Sequence, residues 1–552
     1  MILDYNSSRN TFILRVSRSA EGDPSVRVLM REHGLDLSTT ASDGDNAVMF
    51  THEPFAAVTF YKYGTTRAQE VLYPIWEMIE RSWRHSSDRH IDVPMDKELW
   101  PFQKADIDYA LDHQHTLIGD EPGLGKTPTA IAFCNEIQAD RVLVVCPANI
   151  RLQWANRITE WSTRQLWNER IIYPILKSKN GVHPAAHWTI CSYDLARTPA
   201  IGAELAKGRY DALILDEPHY LKERSSKRTQ AIFGGARRPI FEPLAERSDR
   251  ILGLTGTPLP NRPREAYTLA RGMNWDSIDW MSEDAFRDRF NPSHTYEFED
   301  PVTGETKRHI DERSGRHYEL QNRLRGNFMT RHLKHGPDGV MNQLKMPVYD
   351  LIQLEETGAV KQALEAESLL GIDPEHDLEN PDGDVLGHIA VVRHMMGVAM
   401  APQVADYIAM LIDSGEDKVT LFAWHIEVLN ILEERLSKYG TVRIDGRTSA
   451  IRKQKLVERY INEPALHICL GNILSMGTGT DGLQQVCNHG LIAEPDWVPG
   501  NNIQCFDRLD RGGQNWQVQG DIFVAPGSIA EKVLASALRK GQVVHKSLDH
   551  RI

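Results

Sequence analysis

A glycine-rich loop in the first quarter of the chain contains the residue types that bind phosphate. The sequence TLIGDEPGLGKT spans residues 116–127, where an apolar run gives way to glycines. Gly123 and Gly125 would let the backbone approach an anion, and the helix expected to begin here offers free N–H groups. Lys126 could reach the β- and γ-phosphates of a nucleoside triphosphate, and the Thr127 hydroxyl could hold magnesium. The alternative is an ordinary glycine-rich turn that leads into a helix.

Two adjacent acids later in the chain could complete a phosphoryl-transfer site. Asp216 and Glu217 directly follow the apolar run at 212–215, which predicts that they lie at the carboxyl end of a buried strand. Asp216 could orient the magnesium ion, directly or through water, and Glu217 could polarise the attacking water. His219 could link the nucleotide to the rest of this lobe. An Asp-Glu pair in this position could also be a simple helix N-cap.

A third loop of small residues follows another apolar run, at 251–254. Thr255, Gly256 and Thr257 are expected at the same edge of the sheet as the acids, since the carboxyl ends of parallel strands meet there. This loop could sense the γ-phosphate and transmit the change to a bound strand. The alternative is an unremarkable Thr-Gly-Thr-Pro turn.

The last third of the chain contains a second glycine-rich loop and a pair of arginines. The loop SMGTGTDGLQ spans 475–484 and includes Gly479 and Asp481. Arg508 and Arg511 are three residues apart and would share one face if this stretch is helical. A guanidinium that reaches a γ-phosphate is an arginine finger and can raise phosphoryl transfer by ~10³–10⁵. Surface salt bridges are the alternative.

Two series of short apolar runs would position these loops. Each run ends in a polar or glycine-rich loop, and helical patterns lie between the runs, as expected for parallel strands buried on both faces. The runs lie at 142–146, 188–191, 212–215 and 251–254, and then at 420–423, 467–470, 490–493 and 521–524. The pattern predicts an α/β protein with two doubly wound parallel-sheet lobes.

Composition divides the chain into five predicted segments. Residues 307–334 contain eight Lys or Arg against three acids, whereas residues 365–384 contain eight acids and no Lys or Arg. The first stretch is interpreted as a protrusion and the second as a solvated linker. The segments are a small α+β accessory domain (1–98), a first lobe (99–275), a helical protrusion (276–350), an acidic linker with brace helices (351–415) and a second lobe (416–552).

Overall composition excludes several classes of protein. The 63 Lys and Arg against 76 Asp and Glu give a formal charge of −13, which excludes a uniformly basic surface but not local basic tracks. No run of about 18 apolar residues suggests a membrane span, and the start of the chain lacks the layout of a secretory signal. The six cysteines are scattered, which favours reduced, mostly buried thiols over a disulfide framework or a zinc site.

Several short motifs occur together with these loops and in a fixed order. They are PFQ at 101–103, CPANIRLQW at 146–154, SYD at 192–194, TGTPLPNRPREAY at 255–267 and RIDGRTS at 443–449. Together they resemble the Swi/Snf-related ATPases of helicase superfamily two, in particular the annealing-helicase (HARP-type) branch. The resemblance runs from about Trp100 to the end of the chain.

The resemblance implies two RecA-like lobes of the P-loop class, with ATP and magnesium as cofactors. It makes Asp120 the expected residue at the first position of the phosphate loop, and Gln103 the residue that reads adenine. Gln504 and Gln514 bracket the arginine motif, Gln504 as a coupling residue and Gln514 as a nucleotide contact. The chain departs from the family at Pro218, where Ala, Ser or Cys is more usual. The accessory domain is a further candidate for contact with DNA.

Nucleic-acid contacts would be made to phosphates, because a motor must hold every sequence alike. Arg151 and Trp154 follow a strand end and could touch a strand, although a buried tryptophan packed under a helix is equally consistent. Basic strips beside the sheet-edge loops are further candidates, with an ordinary solvated face as the alternative. They are Lys222, Arg224, Lys227 and Arg228; Arg316, Arg323, Arg325 and Arg331; and Arg447, Arg452 and Lys453.

The sequence therefore predicts a DNA-stimulated ATPase that moves along duplex, forked or branched DNA, with strand annealing or fork remodelling implied by the resemblance. Two alternatives stay open: a strand-separating helicase on DNA or RNA, and an ATP-binding scaffold of a nucleoprotein complex. Replication or recombination proteins are expected partners. A monomer in the cytoplasm of a bacterium or a phage-infected host is expected, without a membrane partner.

Overall fold

The computed structural model describes most of the chain and contains two compact units. The described residues are 1–17, 36–43, 46–163, 171–235, 239–259, 263–299, 306–312, 315–341, 343–369, 383–476, 480–496, 499–532, 534 and 548–549. The first unit comprises Met1–Asp120, Lys126–His332 and Lys540–Ile552, and the second comprises Glu121–Gly125 and Leu333–Arg539. Each unit is built around its own parallel sheet.

The chain begins with a small antiparallel sheet of order β1-β2-β4-β3. Its elements are β1 (Ile2–Asn6), β2 (Thr11–Ser17), β3 (Asp36–Asp43), β4 (Asn46–Thr51), α1 (Pro54–Ala57) and α2 (Thr66–Ser82). Leu3, Phe12 and Met49 from the strands pack with Leu72 of α2 in a shared apolar cluster. Buried Phe12, Leu14 and Val16 alternate with the half-buried Ile13 and Arg15 along β2, as one covered face requires. The predicted α+β class of this region is confirmed.

The first unit contains a seven-stranded, all-parallel sheet of order β13-β5-β10-β9-β6-β8-β7. Its strands are β5 (His115–Ile118), β6 (Val142–Cys146), β7 (Ile171–Pro174), β8 (Ala186–Ser192), β9 (Tyr210–Asp216), β10 (Ser248–Leu254) and β13 (Met329–Thr330). Two apolar clusters cover its faces, with Leu213 in one and Ile214 in the other. Burial on both faces explains the continuous apolar runs in the sequence.

Helices surround this sheet. They are α3 (Pro101–Asp112), α4 (Lys126–Glu136), α5 (Arg151–Trp161), α6 (Tyr193–Ala196), α7 (Pro199–Ala206), α8 (Lys227–Phe233), α9 (Ala266–Met273), α10 (Glu283–Phe290) and α11 (His317–Arg325). Side-chain oxygens cap several of these helices, for instance Ser226 at α8 and Ser282 at α10, each of which accepts a bond from a backbone N–H two or three residues into its helix. The doubly wound arrangement predicted for this lobe is confirmed.

The predicted helical protrusion at 276–350 is wrong. Residues Ser293–Glu299 (β11) and Thr306–Glu312 (β12) form an antiparallel pair rather than helices. Helix α11 is buried in the first unit, where Leu320 and Leu324 join the core, and β13 beyond it pairs with β5. The first lobe therefore extends to residue 332. The basic composition suggested a solvated arm, whereas several of these arginines are buried against carboxylates and carbonyl groups.

The second unit contains a six-stranded parallel sheet of order β14-β19-β18-β15-β17-β16. Its strands are β14 (Val348–Gln353), β15 (Val419–Ala423), β16 (Thr441–Ile444), β17 (Ile468–Asn472), β18 (His489–Ile492) and β19 (Gln519–Val524). Its helices are α12 (Gly358–Leu369), α13 (Gly383–Asp413), α14 (Ile426–Leu436), α15 (Ala450–Asn462), α16 (Ile473–Met476) and α17 (Pro499–Phe506). Because β14 belongs to this sheet, the second lobe starts well before the predicted residue 416.

Helix α13 is strongly apolar because it packs into the core of the second unit. Its residues Ala390–Asp413 are long and apolar enough to cross a membrane by length and composition. Met400, Val404 and Ile408 are nevertheless buried in the apolar cluster that covers one face of the sheet. The predicted brace helices are thus partly a core element, whereas most of the predicted solvated linker at 365–384 lies outside the described residues. All six cysteines are free and buried, as predicted.

Candidate functional site

Three predicted loops follow neighbouring strands of the first sheet. Strand β10 lies between β5 and β9, and the loops at 119–126, 217–219 and 255–257 begin where these strands end. Backbone hydrogen bonds join them: the Thr255 N–H donates to the Ile118 carbonyl at 3.1 Å, and the Glu217 N–H donates to the Leu254 carbonyl at 2.7 Å. The expectation that these loops share one sheet edge is confirmed.

The phosphate loop has the backbone conformation that its glycines predict. Gly123 and Gly125 adopt φ values of +91° and +78°, a region that other residues rarely occupy. Helix α4 begins at Lys126, so the N–H groups of its first turn lie next to the loop. The Lys126 ammonium donates to the Asp120 carbonyl oxygen at 2.6 Å. This loop can therefore surround an anion with N–H groups and one mobile positive charge.

Asp120 belongs to a buried charged cluster that the sequence did not reveal. Its Oδ1 accepts hydrogen bonds from the backbone N–H of His332 at 2.8 Å and from the His332 ring at 3.0 Å. Asp106 of α3 lies 3.3 Å from the same ring nitrogen and accepts from the Thr330 hydroxyl. The cluster joins the phosphate loop to α3 and to the end of β13. Residues 106 and 332 carry no motif, so only the fold brings them together.

The protonation of this cluster follows from its burial. Burial, with the negative charge of Asp120, raises the pKa of Asp106 to about 7. Burial opposes the charge on His332, but the two carboxylates raise its pKa well above the usual value. Burial would also raise the pKa of Asp120, yet the charge and hydrogen bonds of His332 lower it. At neutral pH an imidazolium therefore holds the ionised Asp120 in place.

The two predicted catalytic carboxylates differ in protonation. Desolvation, together with the charge of Glu217, raises the pKa of Asp216 to about 7. Desolvation would raise the pKa of Glu217 too, but a hydrogen bond from His219 and the charges of His219 and Lys126 lower it. Glu217 is thus an anion at neutral pH and able to accept a proton, whereas the charges of Lys126 and His219 offset the raised pKa of Asp216 only in part.

Magnesium fits the residues at this sheet edge. The Thr127 hydroxyl and the Asp216 carboxylate are hard oxygen ligands of the type that Mg²⁺ takes beside phosphates. The raised pKa of Asp216 is the physical sign of a carboxylate that a cation would stabilise. Both side chains are only partly buried, so a hydrated ion can reach them.

Glu217 is held in an unusual conformation by the two loops beside it. Its φ and ψ are +56° and +57°, the left-handed region that non-glycine residues seldom adopt. Its Oε2 accepts a hydrogen bond from the Thr255 hydroxyl at 2.9 Å and lies 3.1 Å from His219 Nδ1. The Thr257 N–H in turn donates to Thr255 Oγ1 at 3.1 Å. Thr255 and His219 thus touch the predicted base, and Thr257 contacts Thr255. The coupling role of these three residues stays a prediction, as does that of Gly256.

Gln103, the predicted adenine reader, is buried near the start of α3. Its Oε1 accepts the Trp100 backbone N–H at 2.9 Å and so caps its own helix. This bond fixes the side chain close to the helix N-terminus. Its contact with adenine stays a prediction.

The arginine motif and the second glycine-rich loop meet within the second unit. Arg511 Nη1 donates to Asp481 Oδ1 at 3.1 Å, and Arg508 Nη1 donates to the Thr480 carbonyl at 3.2 Å. Burial and the charge of Arg511 lower the pKa of Arg508 to about 10. Burial and the charge of Arg508 also lower the pKa of Lys453 to about 8. Three cations are thus crowded together, a grouping that an anion would stabilise.

Other predictions for this part of the chain have mixed outcomes. Gly479 lies outside the described residues. Gln514 donates to the carbonyl groups of Cys487 at 2.9 Å and Leu509 at 3.2 Å, so its amide nitrogen is used inside the second unit rather than presented to a ligand. Gln504 is half-buried on α17, and its coupling role stays a prediction.

The predicted DNA contacts at Arg325 and Arg331 are wrong. The Arg325 guanidinium is fully buried, stacks 3.4 Å from the Trp83 ring centroid and donates to the Leu548 carbonyl at 3.0 Å. Arg331 is also buried; it pairs with Asp549 at 2.6 Å and donates to the Gly119 carbonyl. Both side chains are used inside the first unit and cannot reach a phosphate backbone.

The other candidate contacts divide by exposure. Trp154 is 2% exposed, so its predicted contact with a strand is wrong. Arg151 donates to the carbonyl groups of Ala148 at 2.8 Å and Leu176 at 3.2 Å. Arg228 pairs with Asp194 at 2.9 Å. Lys227 and Arg447 are exposed, and for these two the DNA contact stays a prediction.

The chain is similar to known proteins over most of its length. A family model described as SNF2-related domain matches residues 32–355. The chain is 28% identical over 465 residues to the DNA annealing helicase and endonuclease ZRANB3 of Mus musculus. It is 25% identical over 445 residues to the SWI/SNF-related matrix-associated actin-dependent regulator of chromatin subfamily A-like protein 1 of Xenopus laevis.

The aligned region covers most of this chain but less than half of each of these two relatives. The two alignments cover 82% and 80% of this chain but 41% and 43% of the relatives, so the chain spans about two-fifths of their length. A solved structure, the SWI2/SNF2 ATPase core of Sulfolobus solfataricus in complex with dsDNA, is 15% identical and has a TM-score of 0.37. That comparison covers 85% of this chain and 100% of the other.

Proposed function

The chain belongs to the SNF2-related family, and on that premise we propose that it hydrolyses ATP to move along double-stranded DNA. One observation carries the proposal most directly. An anionic Glu217, held by Thr255 and His219, lies beside Asp216 at the edge where the phosphate loop also begins. A base, a magnesium ligand and a phosphate-binding loop at one sheet edge are the parts that nucleotide hydrolysis requires.

Hydrolysis would use the residues of the first sheet edge as follows. Lys126 exchanges its bond to the Asp120 carbonyl for the β- and γ-phosphate oxygens, and the N–H groups at the start of α4 bind the same phosphates. Thr127 and Asp216 would hold magnesium, which neutralises phosphate charge when bound. Glu217 orients the attacking water and accepts its proton, because its lowered pKa keeps it ionised.

The arginines of the second unit are proposed to act on the γ-phosphate. Arg508 and Arg511 are crowded with Lys453, and repulsion among the three favours a bound anion. A guanidinium that stabilises the transferred phosphoryl group accounts for ~10³–10⁵ of the rate in comparable enzymes. We propose Arg511 for this role and Arg508 as its support.

Duplex, forked or branched DNA is the proposed track. The relative from mouse is described as a DNA annealing helicase, which makes strand annealing or fork remodelling the proposed outcome of movement. Exposed Lys227 and Arg447 supply candidate phosphate contacts. Backbone contacts without base readout suit an enzyme that must pass over any sequence. Replication or recombination proteins are proposed partners.

The test is an ATPase assay titrated with single-stranded, duplex, forked and four-way DNA and with RNA. We expect duplex-containing DNA to stimulate turnover, and displacement of a triplex strand without opening of the duplex. Efficient opening of a tailed duplex would instead identify a strand-separating helicase. ATP binding without phosphate release, with or without DNA, would identify a scaffold.

Two variants test whether ATP turnover depends on the proposed site. Lys126→Ala should abolish turnover by removing the phosphate contact, and Glu217→Gln should abolish it while nucleotide binding persists. Glu223→Gln is the matched control, since Glu223 is an exposed acid six residues from Glu217 whose recorded side-chain contact is with Ser225. Undiminished DNA-stimulated turnover in both site variants would refute the assignments.

A further inference from the structure

A buried tryptophan contacts the carboxylate proposed to hold magnesium. Trp154 lies near the start of α5, and its side chain is 2% exposed. Its indole Nε1–H donates to Asp216 Oδ2 at 2.7 Å. This distance lies in the normal range of an N–H···O hydrogen bond. The sequence suggested either a DNA contact or simple packing for this residue, and neither accounts for the bond.

The bond is a consequence of strand order. Strand β6, which leads through residues 147–150 into α5, pairs directly with β9, which ends at Asp216. The start of α5 is therefore held beside the end of β9. The rest of the Trp154 ring packs in the apolar cluster on that face, with Ile158 and Ile190 among its members. The ring is thus fixed by packing, and its polar edge meets the carboxylate.

Indole chemistry makes this contact specific. Indole has one donor and no acceptor, so a buried tryptophan without a partner for its N–H is destabilised. Asp216 Oδ2 satisfies that donor, and the Tyr193 hydroxyl donates to the Asp216 backbone carbonyl at 2.9 Å. The side chain and the backbone of Asp216 therefore each accept a hydrogen bond from an aromatic residue, Trp154 of α5 and Tyr193 of α6 respectively.

We propose that Trp154 is a positioning residue for magnesium binding. By holding Oδ2 of Asp216 it fixes the rotamer of the carboxylate and leaves the remaining oxygen for the ion or for its bound water. Ligands whose orientation is fixed by outer hydrogen bonds bind metals more tightly, and loss of such a bond typically costs 10- to 100-fold in affinity or activity. This inference rests on the proposed ATP hydrolysis and names a further residue of that site.

A purely structural role makes different predictions. If Trp154 only fills the core, its replacement by phenylalanine would lower stability without changing how nucleotide binding depends on magnesium. If it positions Asp216, the same change would leave binding of metal-free nucleotide intact and weaken binding that requires magnesium. The ratio of the two affinities therefore separates the roles.

The experiment compares Trp154→Phe with Trp188→Phe in the full-length chain. Trp188 of β8 is a matched control, because it is buried in the same apolar cluster and the structure records no contact between its side chain and Asp216. Binding of a fluorescent ATP analogue is measured against free magnesium, with and without chelator. We expect the half-saturating magnesium concentration to rise about tenfold in Trp154→Phe only. Equal magnesium dependence in both variants would overturn the proposal.

A double-mutant cycle identifies Asp216 as the residue through which Trp154 acts. In an Asp216→Asn background, Trp154→Phe should cause little further loss of magnesium dependence, because the positioned carboxylate is already gone. Additive losses would overturn the proposal. Wild-type turnover is measured in parallel: a chain that binds magnesium-ATP but never releases phosphate refutes the proposed hydrolysis, while the binding cycle still tests Trp154.

A second measurement needs no change at residue 154, in case Trp154→Phe does not fold. The wild-type chain, with its 12 tryptophans, is labelled with [¹⁵N]tryptophan and its indole N–H signals are recorded. We expect one signal to move in Asp216→Ala and to shift when magnesium-ATP is added to the wild type. Absence of any indole signal that responds to both would overturn the proposal.

Discussion

The Thr255 hydroxyl donates a hydrogen bond to Glu217 Oε2 at 2.9 Å, and thereby joins the loop after β10 to the proposed catalytic base. Glu217 needs such support because its backbone is in the left-handed region, a conformation that costs a non-glycine residue of order 1–3 kcal/mol. The loops after β9 and β10 are thus connected through the side chain of Thr255, which also lies 3.5 Å from His219 Nδ1. A movement of either loop changes the position of the base.

Removal of that bond should reduce catalysis without reducing nucleotide binding. Thr255→Val keeps the shape of the side chain but lacks the hydroxyl, and a hydrogen bond to a charged group is worth about 1.5–3 kcal/mol. We expect kcat to fall about tenfold or more, with the Kd for ATP unchanged, measured by DNA-stimulated phosphate release and by equilibrium binding. Thr255→Ser retains the hydroxyl and should behave as the wild type. A variant pair with equal kcat would contradict this role.

The loops of this site could be predicted because their chemistry is local. A strand, a glycine or acidic loop and a helix follow one another within a few residues, and the sheet topology then brings the loops together. The His332–Asp120 bond joins residues 212 positions apart and has no local signal. The sequence alone therefore identified Asp120 only as a family position, without the imidazolium that holds it.

The lack of a local sequence signal for distant contacts also explains the wrong predictions for Arg325 and Trp154. Arg325 was expected on a solvated arm, yet its acceptors include the carbonyl of Leu548, 223 positions away. Trp154 meets Asp216 across 62 positions. The type of a residue and its position in the sequence do not show whether its side chain contacts solvent, a ligand or a distant part of the chain. The burial of charged groups therefore cannot be inferred before the fold is known.

The charged cluster around Asp120 should make stability fall as pH rises. Burial raises the pKa of Asp106 from 3.8 to about 7, and its carboxylate partners raise that of His332 well above 6.5 despite burial. The folded state therefore binds protons more tightly than the unfolded state, so this contribution is lost as pH rises from about 4 through these values. We expect a lower free energy of unfolding at pH 8 than at pH 6, measured by urea denaturation.

Asp106→Asn tests that assignment. The amide does not titrate, so the fall in stability between pH 5 and pH 7 should become smaller than in the wild type. Some fall should remain, because the pKa of Asp216 is also raised to about 7 and acts in the same direction. The control is Asp108→Asn, which changes a half-buried residue of the same helix that pairs with Arg89 and should keep the wild-type profile. An unchanged pH profile in Asp106→Asn would exclude this cluster as the source.

Arg325 should be a stability residue rather than a DNA-binding residue. Its guanidinium donates to the Ser82, Arg331 and Leu548 carbonyl groups, all of which would lose a donor in Arg325→Met. Unsatisfied buried polar groups cost about 1–3 kcal/mol each, and we expect at least that loss in the free energy of unfolding. DNA affinity per folded molecule and its salt dependence should not change. A reduced salt slope would return Arg325 to the DNA contacts.

In contrast with Arg325, Arg447 should contribute to DNA binding and not to stability. Its side chain is exposed in the motif RIDGRTS, and its recorded hydrogen bond is the one its backbone N–H donates to Asp445 at 2.9 Å. Arg447→Ala should leave the free energy of unfolding within about 0.5 kcal/mol of the wild type. If the guanidinium neutralises one phosphate, duplex binding should weaken at every sequence and the slope of log K against log salt should decrease by about 0.9. Fluorescence anisotropy with a labelled duplex at four or more salt concentrations measures that slope.

The matched control is Arg459→Ala, which removes an exposed arginine paired with Glu463. Equal salt slopes for the wild type, Arg447→Ala and the control would show that Arg447 does not touch the DNA backbone.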